Sequence, residues 1–572
     1  MGASMPAAAA PVPTEPRALD EAVARLRQAA PGWAAASLGD RAALARAMLD
    51  GVGRTAARAV EAACAAKGLP ADAPQAGEEW LSGPYVTARI LRQLERSLKL
   101  LARNGNTPVG KLTETVDGRL SVQVFPLTRQ DALLLAGVRA EAHLVEGMTE
   151  ERLHETRARF HKAPDHQGKV CLVLGAGNIN SIPAVDVAGK LFNEGKVCVL
   201  KMNPVNAYLG PILEDAFSAA IARNVLAVVY GGADVGGYLA HHPGVDEVHI
   251  TGSDRTHDVI VWGPPGAERD ARRASGTPLL GKEITSELGN VSPVLVVPGP
   301  WDAATLRFQA ESVAGMVTYN ASFNCNAAKL LVLPGGWRRR DAFLAAVEHF
   351  MALSPARRAW YPGAAERYRA LTEGRPSVRK VGQGEDALPW TLVTGLDSGS
   401  EDPAFVTEPF CSILSETTIG SEDPVDFLEQ AVAFSNDRLW GTLAAHIVVH
   451  PRTLADPALN AAVQRAVRRL RYGTVAVNTW AGYGYGLGTA PWGAFPGSTL
   501  EDVQSGRGFV HNTVMLEGVE KVVVWHPART FPKPPYFPSH ATTDALGRSL
   551  VRLETRGRWR DLPAVVLAGI RG

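Results

Sequence analysis

Lys169-Val-Cys-Leu-Val-Leu-Gly-Ala-Gly-Asn178 is the stretch whose reading decides the fold. Its five consecutive apolar residues carry no polar alternation, which marks a strand covered on both faces, as in a parallel sheet, rather than one half open to water. A glycine-broken turn follows, residues 182–193 return to helical spacing, and Lys196-Val-Cys-Val-Leu200 repeats the strand pattern. Leu226-Ala-Val-Val-Tyr230 and Glu247-Val-His-Ile250 continue the alternation, with helical segments between them. Strands separated by helices predict an α/β fold with right-handed crossovers.

Downstream, Pro293-Val-Leu-Val-Val297 and Lys329-Leu-Leu-Val-Leu333 start a second α/β unit, with helices predicted over 307–319 and 340–353. Two α/β lobes with a cleft between them are the economical architecture. Upstream, residues 18–30, 39–68 and 78–104 are rich in Ala, Leu and Arg at helical spacing, a helical opening region. Arg119-Leu-Ser-Val-Gln-Val-Phe-Pro126 alternates polar and apolar residues, and residues 513–525 do so more loosely, so both read as strands. They fit either an ordinary sheet edge or a two-part flap that pairs with another subunit. Phe531-Pro-Lys-Pro-Pro-Tyr-Phe-Pro538 marks a C-terminal extension.

At 572 residues the chain suggests roughly three or four units of about 150 residues each. Lys plus Arg total 59 against 58 for Asp plus Glu, so no net field favours nucleic acid or an anionic membrane over small molecules. The five cysteines are odd in number and lack short spacings, which fits neither a disulfide framework nor a Cys-x-x-Cys zinc site, and no metal ligands are assigned. A reducing, cytoplasmic setting is expected. The Ala/Pro-rich start has no secretory pattern, puts Pro6 where a myristoylation signal needs Ser or Thr, and reads as a disordered tail. No run approaches the roughly 18 apolar residues of a membrane helix, which leaves only peripheral contact open.

Several positions could carry chemistry. Gly175-Ala-Gly-Asn178, between strand and helix, suits a pyrophosphate at a helix N-terminus, but with the third glycine of the dinucleotide fingerprint missing the motif taken alone favours a plain tight turn. The amide of Asn178 could instead donate to an oxyanion. Thr251-Gly-Ser-Asp254 is a structural turn or a phosphate contact, and Lys201 ends a strand from which it could reach ribose or phosphate or lie in solvent. Cys325 stands between Asn324 and Asn326, unlike Cys171 and Cys198 within apolar strands. Paired with Glu287 it offers a thiol nucleophile and a carboxylate base, which can activate the thiol or a water.

Taken in order, these segments resemble the aldehyde dehydrogenase superfamily from about residue 169 to 497. Gly-Ala-Gly-Asn at 175–178 and Ile-Thr-Gly-Ser at 250–253 are similar to its Asn-bearing turn and Phe-Thr-Gly-Ser. Glu-Leu-Gly-Asn-Val-Ser-Pro at 287–293 resembles Glu-Leu-Gly-Gly-Lys-Ser-Pro, and Cys-Asn-Ala at 325–327 the nucleophile segment. Glu408-Pro-Phe410, Asn478 and Pro491-Trp-Gly-Ala-Phe-Pro-Gly497 look like the closing elements. The resemblance implies a Rossmann-type cofactor lobe (17–118 and 133–286), an α/β catalytic lobe (287–490), a small β oligomerisation flap (119–132 and 505–526), a tail (1–16) and an extension (527–572). It also implies a homo-oligomer, a dimer or tetramer.

The implied activity is oxidation of an aldehyde to a carboxylic acid with NAD or NADP. Cys325 would attack the aldehyde, Asn178 and the Cys325 backbone N–H would hold the oxyanion, and Glu287 would activate water against the thioester. Lys201 would bind the adenosine ribose, Gly252 and Ser253 the pyrophosphate, and Glu408 the nicotinamide ribose, with Phe410 packing nearby. The chain departs from the family at Lys201-Met-Asn-Pro204, where a carboxylate that repels a 2′-phosphate is lost, and at His257, where a glycine is usual. Asn324 replaces a Gln, and Cys325 follows Glu287 by 38 positions, a few more than usual. An acyl-CoA-forming or acyl-CoA-reducing enzyme and a non-catalytic binding protein of the same fold are the rival readings. Trp480, Tyr483 and Tyr485, with the apolar C-terminal extension, point to a bulky or long-chain aldehyde.

Overall fold

Helices Pro16–Ala34, Leu38–Lys67 and Val86–Asn104 open the computed structural model, which describes residues 11–70, 73–163, 166–382, 384 and 387–572. Local chemistry sets their ends. Ser37 accepts from the Asp40 N–H at the start of Leu38–Lys67, and Gly68 stops that helix in the left-handed conformation (φ 68°) that a side chain disfavours. The expected tail lies outside the described residues up to residue 10. Beyond it, Thr14 donates its N–H to the Tyr230 carbonyl at 3.0 Å, so this part is tied to the body.

The first lobe is a six-stranded sheet in the order Gly506–Arg507, Glu283–Leu288, Glu247–Gly252, Val170–Leu174, Val197–Lys201, Leu226–Val229. Its last five strands are parallel. Val170–Leu174 and Val197–Lys201 are buried throughout, which is why their sequences lack alternation. From Val170–Leu174 the chain builds outward on one side and then returns to build on the other. The crevice beyond the carboxyl ends of Val170–Leu174 and Glu247–Gly252 is therefore the switch point where such sheets take ligands.

The second lobe is an eleven-stranded sheet with Pro293–Val296, Leu330–Pro334, Ile413–Ile419, Ala444–Val448 and Thr474–Val477 at its parallel centre. Val519–Trp525 joins Thr474–Val477 in parallel and Arg139–Leu144 antiparallel, and Leu120–Phe125 and Leu112–Glu114 follow outward. The flap segments are thus strands of the chain's own sheet. A third strand, Arg139–Leu144, stands between them, in a stretch the division above leaves with the cofactor lobe. The predicted strand over 513–525 begins only at Val519, because Met515 (φ 54°) and Gly518 (φ 63°) turn the chain first.

Helices Thr543–Arg556 and Leu562–Ile570 pack the C-terminal extension back onto the opening helices. The fit is close: a Cβ at Gly77 would lie 2.5 Å from the Thr543 carbonyl carbon, and one at Gly547 2.4 Å from Trp80 Cβ. Among the described residues no helix is long and apolar enough to cross a membrane.

Candidate active site

Cys325 is presented by a turn that a free chain would avoid. Asn320, Ala321 and Ser322 are all left-handed, at φ 53°, 54° and 68°, a conformation that costs a residue with a Cβ roughly 1–2 kcal/mol. Polar anchors hold it. The Asn320 N–H donates to Glu78 Oε2 at 2.8 Å, and its Nδ2 donates to the carbonyls of Asn178 (3.0 Å) and Phe323 (3.1 Å). Asn178 Nδ2 donates to that same Phe323 carbonyl at 3.0 Å, so the turn after the first strand and the nucleophile loop are joined directly. Lys329 Nζ reaches the Asn324 carbonyl at 2.7 Å.

Glu287 stands near the end of Glu283–Leu288, 3% exposed, beside the Cys325 thiol. Trp492 Nε1 donates to Glu287 Oε1 at 3.4 Å. Burial pushes the Glu287 carboxyl up to about 8, against the pull of Cys325 and Trp492 and with help from the charges of Asp186 and Glu408. The Cys325 thiol is raised well above its ordinary value, first by burial and then by Glu287. At neutral pH the resting pair is therefore a thiol beside a largely protonated acid. Cys325 alone among the five cysteines is partly exposed, and the others are buried.

The remaining candidates line the switch-point crevice or its rim. Gly177 cannot carry a side chain, since a Cβ would lie 2.7 Å from Asn203 Oδ1 and 2.8 Å from Val205 Cβ. Lys201 ends its strand buried, and burial lowers its ammonium, with Asp234 opposing. Gly252 is the exposed end of Glu247–Gly252, and Ser253 caps Asp254–Trp262 by accepting from the Thr256 N–H at 3.2 Å. Buried His257, where the family has glycine, is held neutral by desolvation.

Glu408 and Phe410 lie across the cleft. Lys329 Nζ is 3.5 Å from Glu408 Oε1 and 5.5 Å from the Phe410 ring centre. Burial pushes the Glu408 carboxyl up to about 7, although Lys329 pulls it down. A Cβ at Gly289 would fall 1.8 Å from Glu408 Oε2, so this glycine admits the carboxylate. Glu408 Oε1 is buried with no hydrogen-bond partner, an acceptor open to a donor such as a sugar hydroxyl.

The aldehyde dehydrogenase family model matches residues 180–358, which span Lys201, Gly252, Ser253, Glu287 and Cys325. Over that stretch the chain is similar to the aldehyde dehydrogenases. N-succinylglutamate 5-semialdehyde dehydrogenase of Sphingopyxis alaskensis is 31% identical over 122 residues, 21% of this chain and 22% of that protein. N-succinylglutamate 5-semialdehyde dehydrogenase 1 of Caulobacter vibrioides is 25% identical over 305 residues, 52% of this chain and 57% of that protein. The matches thus span less than two thirds of either relative. The NADP-dependent glyceraldehyde-3-phosphate dehydrogenase of Bacillus halodurans C-125 superposes with a TM-score of 0.58 at 17% identity, covering 89% of this chain and 91% of that one. An NAD-dependent aldehyde dehydrogenase of Sinorhizobium meliloti does so at 0.57 and 19%, covering 91% and 89%. At these identities the superpositions establish the shared fold.

Around the site stand residues that sequence reasoning missed. Lys67 Nζ donates to Asn320 Oδ1 at 2.9 Å and to Glu79 Oε1 at 2.7 Å, all of it buried. Lys329 is a second fully buried cation; its position directly before four apolar strand residues was the available signal. Trp492 lies in the Pro491–Gly497 segment, whose sequence carries no sign of its contact with Glu287. From Cys325 and Glu287 a cavity of about 540 Å³ opens past Trp480, Tyr483 and Tyr485 toward the C-terminal helices.

Proposed function

We propose that this chain oxidises an aldehyde to a carboxylic acid with NAD or NADP, through a covalent intermediate on Cys325. The observation that carries the reading is the juxtaposition of Cys325 and Glu287 on the wall of one cavity. In the fraction of molecules whose Glu287 is ionised, the thiol proton passes to that carboxylate, Cys325 Sγ adds to the aldehyde carbon, and the carbonyl electron pair moves to oxygen. Asn178 Nδ2 has one N–H on the Phe323 carbonyl, and its second N–H is available to that oxyanion. The nicotinamide, when bound, supplies the hydride acceptor that turns the thiohemiacetal into a thioester.

Glu287, having given that proton to solvent, then takes a proton from water as the water attacks the thioester and passes it to the leaving Cys325 sulfur, so that carboxylic acid and Cys325 thiol are released. Lys201, Gly252, Ser253 and Glu408 would hold the dinucleotide, with the unpartnered Glu408 Oε1 accepting from the nicotinamide ribose and Phe410 flanking it. Loss of the family carboxylate at Pro204 leaves room for either nucleotide. The chain acts as a homo-oligomer, with the open edge of Leu112–Glu114 as the joining element, a reading that native mass measurement tests.

Cys325→Ala should abolish both turnover and covalent trapping of aldehyde, and retained turnover would remove the proposal. Adding coenzyme A tests the acyl-transfer alternative, which Glu287 beside the nucleophile disfavours: free acid, not acyl-CoA, is the expected product.

A further inference from the structure

We infer that residues 527–572 make the substrate site into an apolar tunnel that selects elongated apolar aldehydes, with Leu550, Val565 and Ile570 setting chain-length preference. The inference rests on the proposed oxidation at Cys325 and names the substrate class of that site. The cavity at Cys325 runs continuously to the C-terminal helices, and its volume of about 540 Å³ far exceeds what a two- or three-carbon aldehyde fills. Ligand cavities of roughly 300–1,000 Å³ enclose ligands of drug size. Tyr536 of the extension closes one side, 5.6 Å from the Trp480 ring centre and 5.9 Å from that of Tyr483.

Charge on the wall is already paired. Arg89 donates to the Leu487 carbonyl (2.7 Å), Glu554 (2.8 Å) and Asp131 (2.9 Å), all buried. Lys533 donates to the Ser539 carbonyl at 2.9 Å and its hydroxyl at 2.8 Å. Arg89 is thus fully engaged and two of the three Lys533 donors are taken by Ser539, so the tunnel rewards carbon more than charge. The outer rim is carbon too: Leu133, Phe531, Val566 and Ile570 line the cavity while being 56%, 79%, 42% and 47% exposed. A chain longer than the tunnel can leave it along this rim. The wall is a fixed part of the enzyme, given the backbone fit at Gly77 and Gly547.

The test uses the full chain with n-alkanals from propanal to dodecanal. Each methylene that enters the tunnel should raise kcat/KM about fourfold, the free energy of burying one CH2, until the tunnel is full. Val565→Phe, and independently the half-exposed Ile570→Trp, should cut decanal oxidation roughly tenfold or more while leaving propanal within about twofold, because only the distal volume is filled. A flat chain-length profile, equal losses on both substrates, or preference for an aldehyde bearing a carboxylate would overturn the inference while the oxidation stands. If no aldehyde is oxidised and Cys325 is never acylated, the proposed function itself falls, and this inference with it.

Discussion

Lys67 Nζ and Asn320 Oδ1 meet at 2.9 Å across 253 positions of sequence, joining the end of an opening helix to the left-handed turn that presents Cys325. The same ammonium forms a buried ion pair with Glu79. Lys67→Met leaves Glu79 as an uncompensated buried charge, and breaking such a pair costs about 3–5 kcal/mol. Urea unfolding should register that loss. The double variant Lys67→Met/Glu79→Gln should recover much of the stability but not kcat, since Asn320 still lacks its donor. Recovery of both would reduce Lys67 to a purely structural role.

Glu287 gives the enzyme a signature in pH. Its carboxyl moves from an ordinary 4.5 to about 8 in the folded protein. Between those values the folded chain keeps a proton that the unfolded chain has released, so this group's stability contribution is complete below about 4.5 and is lost as pH rises through about 8. Activity runs the other way, because only the carboxylate acts as a base. Deacylation-limited kcat should rise with an apparent pKa of about 8. Glu287→Gln should remove that titration and, relative to wild type, gain stability as pH rises from about 6 to about 9. An unchanged kcat profile in the variant would assign the titration to another group.

Two variants probe the nucleotide site. Glu408→Gln loses a charged acceptor, and hydrogen bonds to charged groups contribute about 1.5–3 kcal/mol, so the cofactor KM should rise roughly tenfold or more. Pro204 is exposed at the start of Pro204–Leu209, close to Lys201. Pro204→Glu should raise the KM for NADP selectively over NAD by repelling the 2′-phosphate. Equal effects on the two nucleotides would separate this position from the adenosine ribose.

Arg89 ties the C-terminal helix to the body through Glu554 and Asp131. Arg89→Met strands the buried Asp131 carboxylate, while Glu554 keeps Arg92 at 3.1 Å, and should cost about 3–5 kcal/mol in urea unfolding. A loss below about 1 kcal/mol would mean that the extension is held by its apolar contacts alone.

Much of this was legible in the sequence because it is local. Unbroken apolar runs at Val170–Leu174 and Val197–Lys201 announce buried parallel strands, and glycine marks the turns after them. Arg139–Leu144 was not legible: its alanines lack the β-branched character of a strand, and only pairing with Val519–Trp525 makes it one. The burial of Lys67, and the partners that hold Asn320 left-handed, are likewise tertiary. Glu287 was readable as a candidate base, but its raised proton affinity depends first on burial and then on the charges of Asp186 and Glu408, which arrive from other elements.

The most direct test of the division of labour between Cys325 and Glu287 is rapid mixing of the Glu287→Gln enzyme with aldehyde and nicotinamide nucleotide, with mass analysis of the Cys325 peptide. A burst of reduced nucleotide approaching one equivalent per active chain, then near-silence, with the acyl group on Cys325, is the expected result. Steady turnover at the wild-type rate with no acyl-Cys325 would contradict the account.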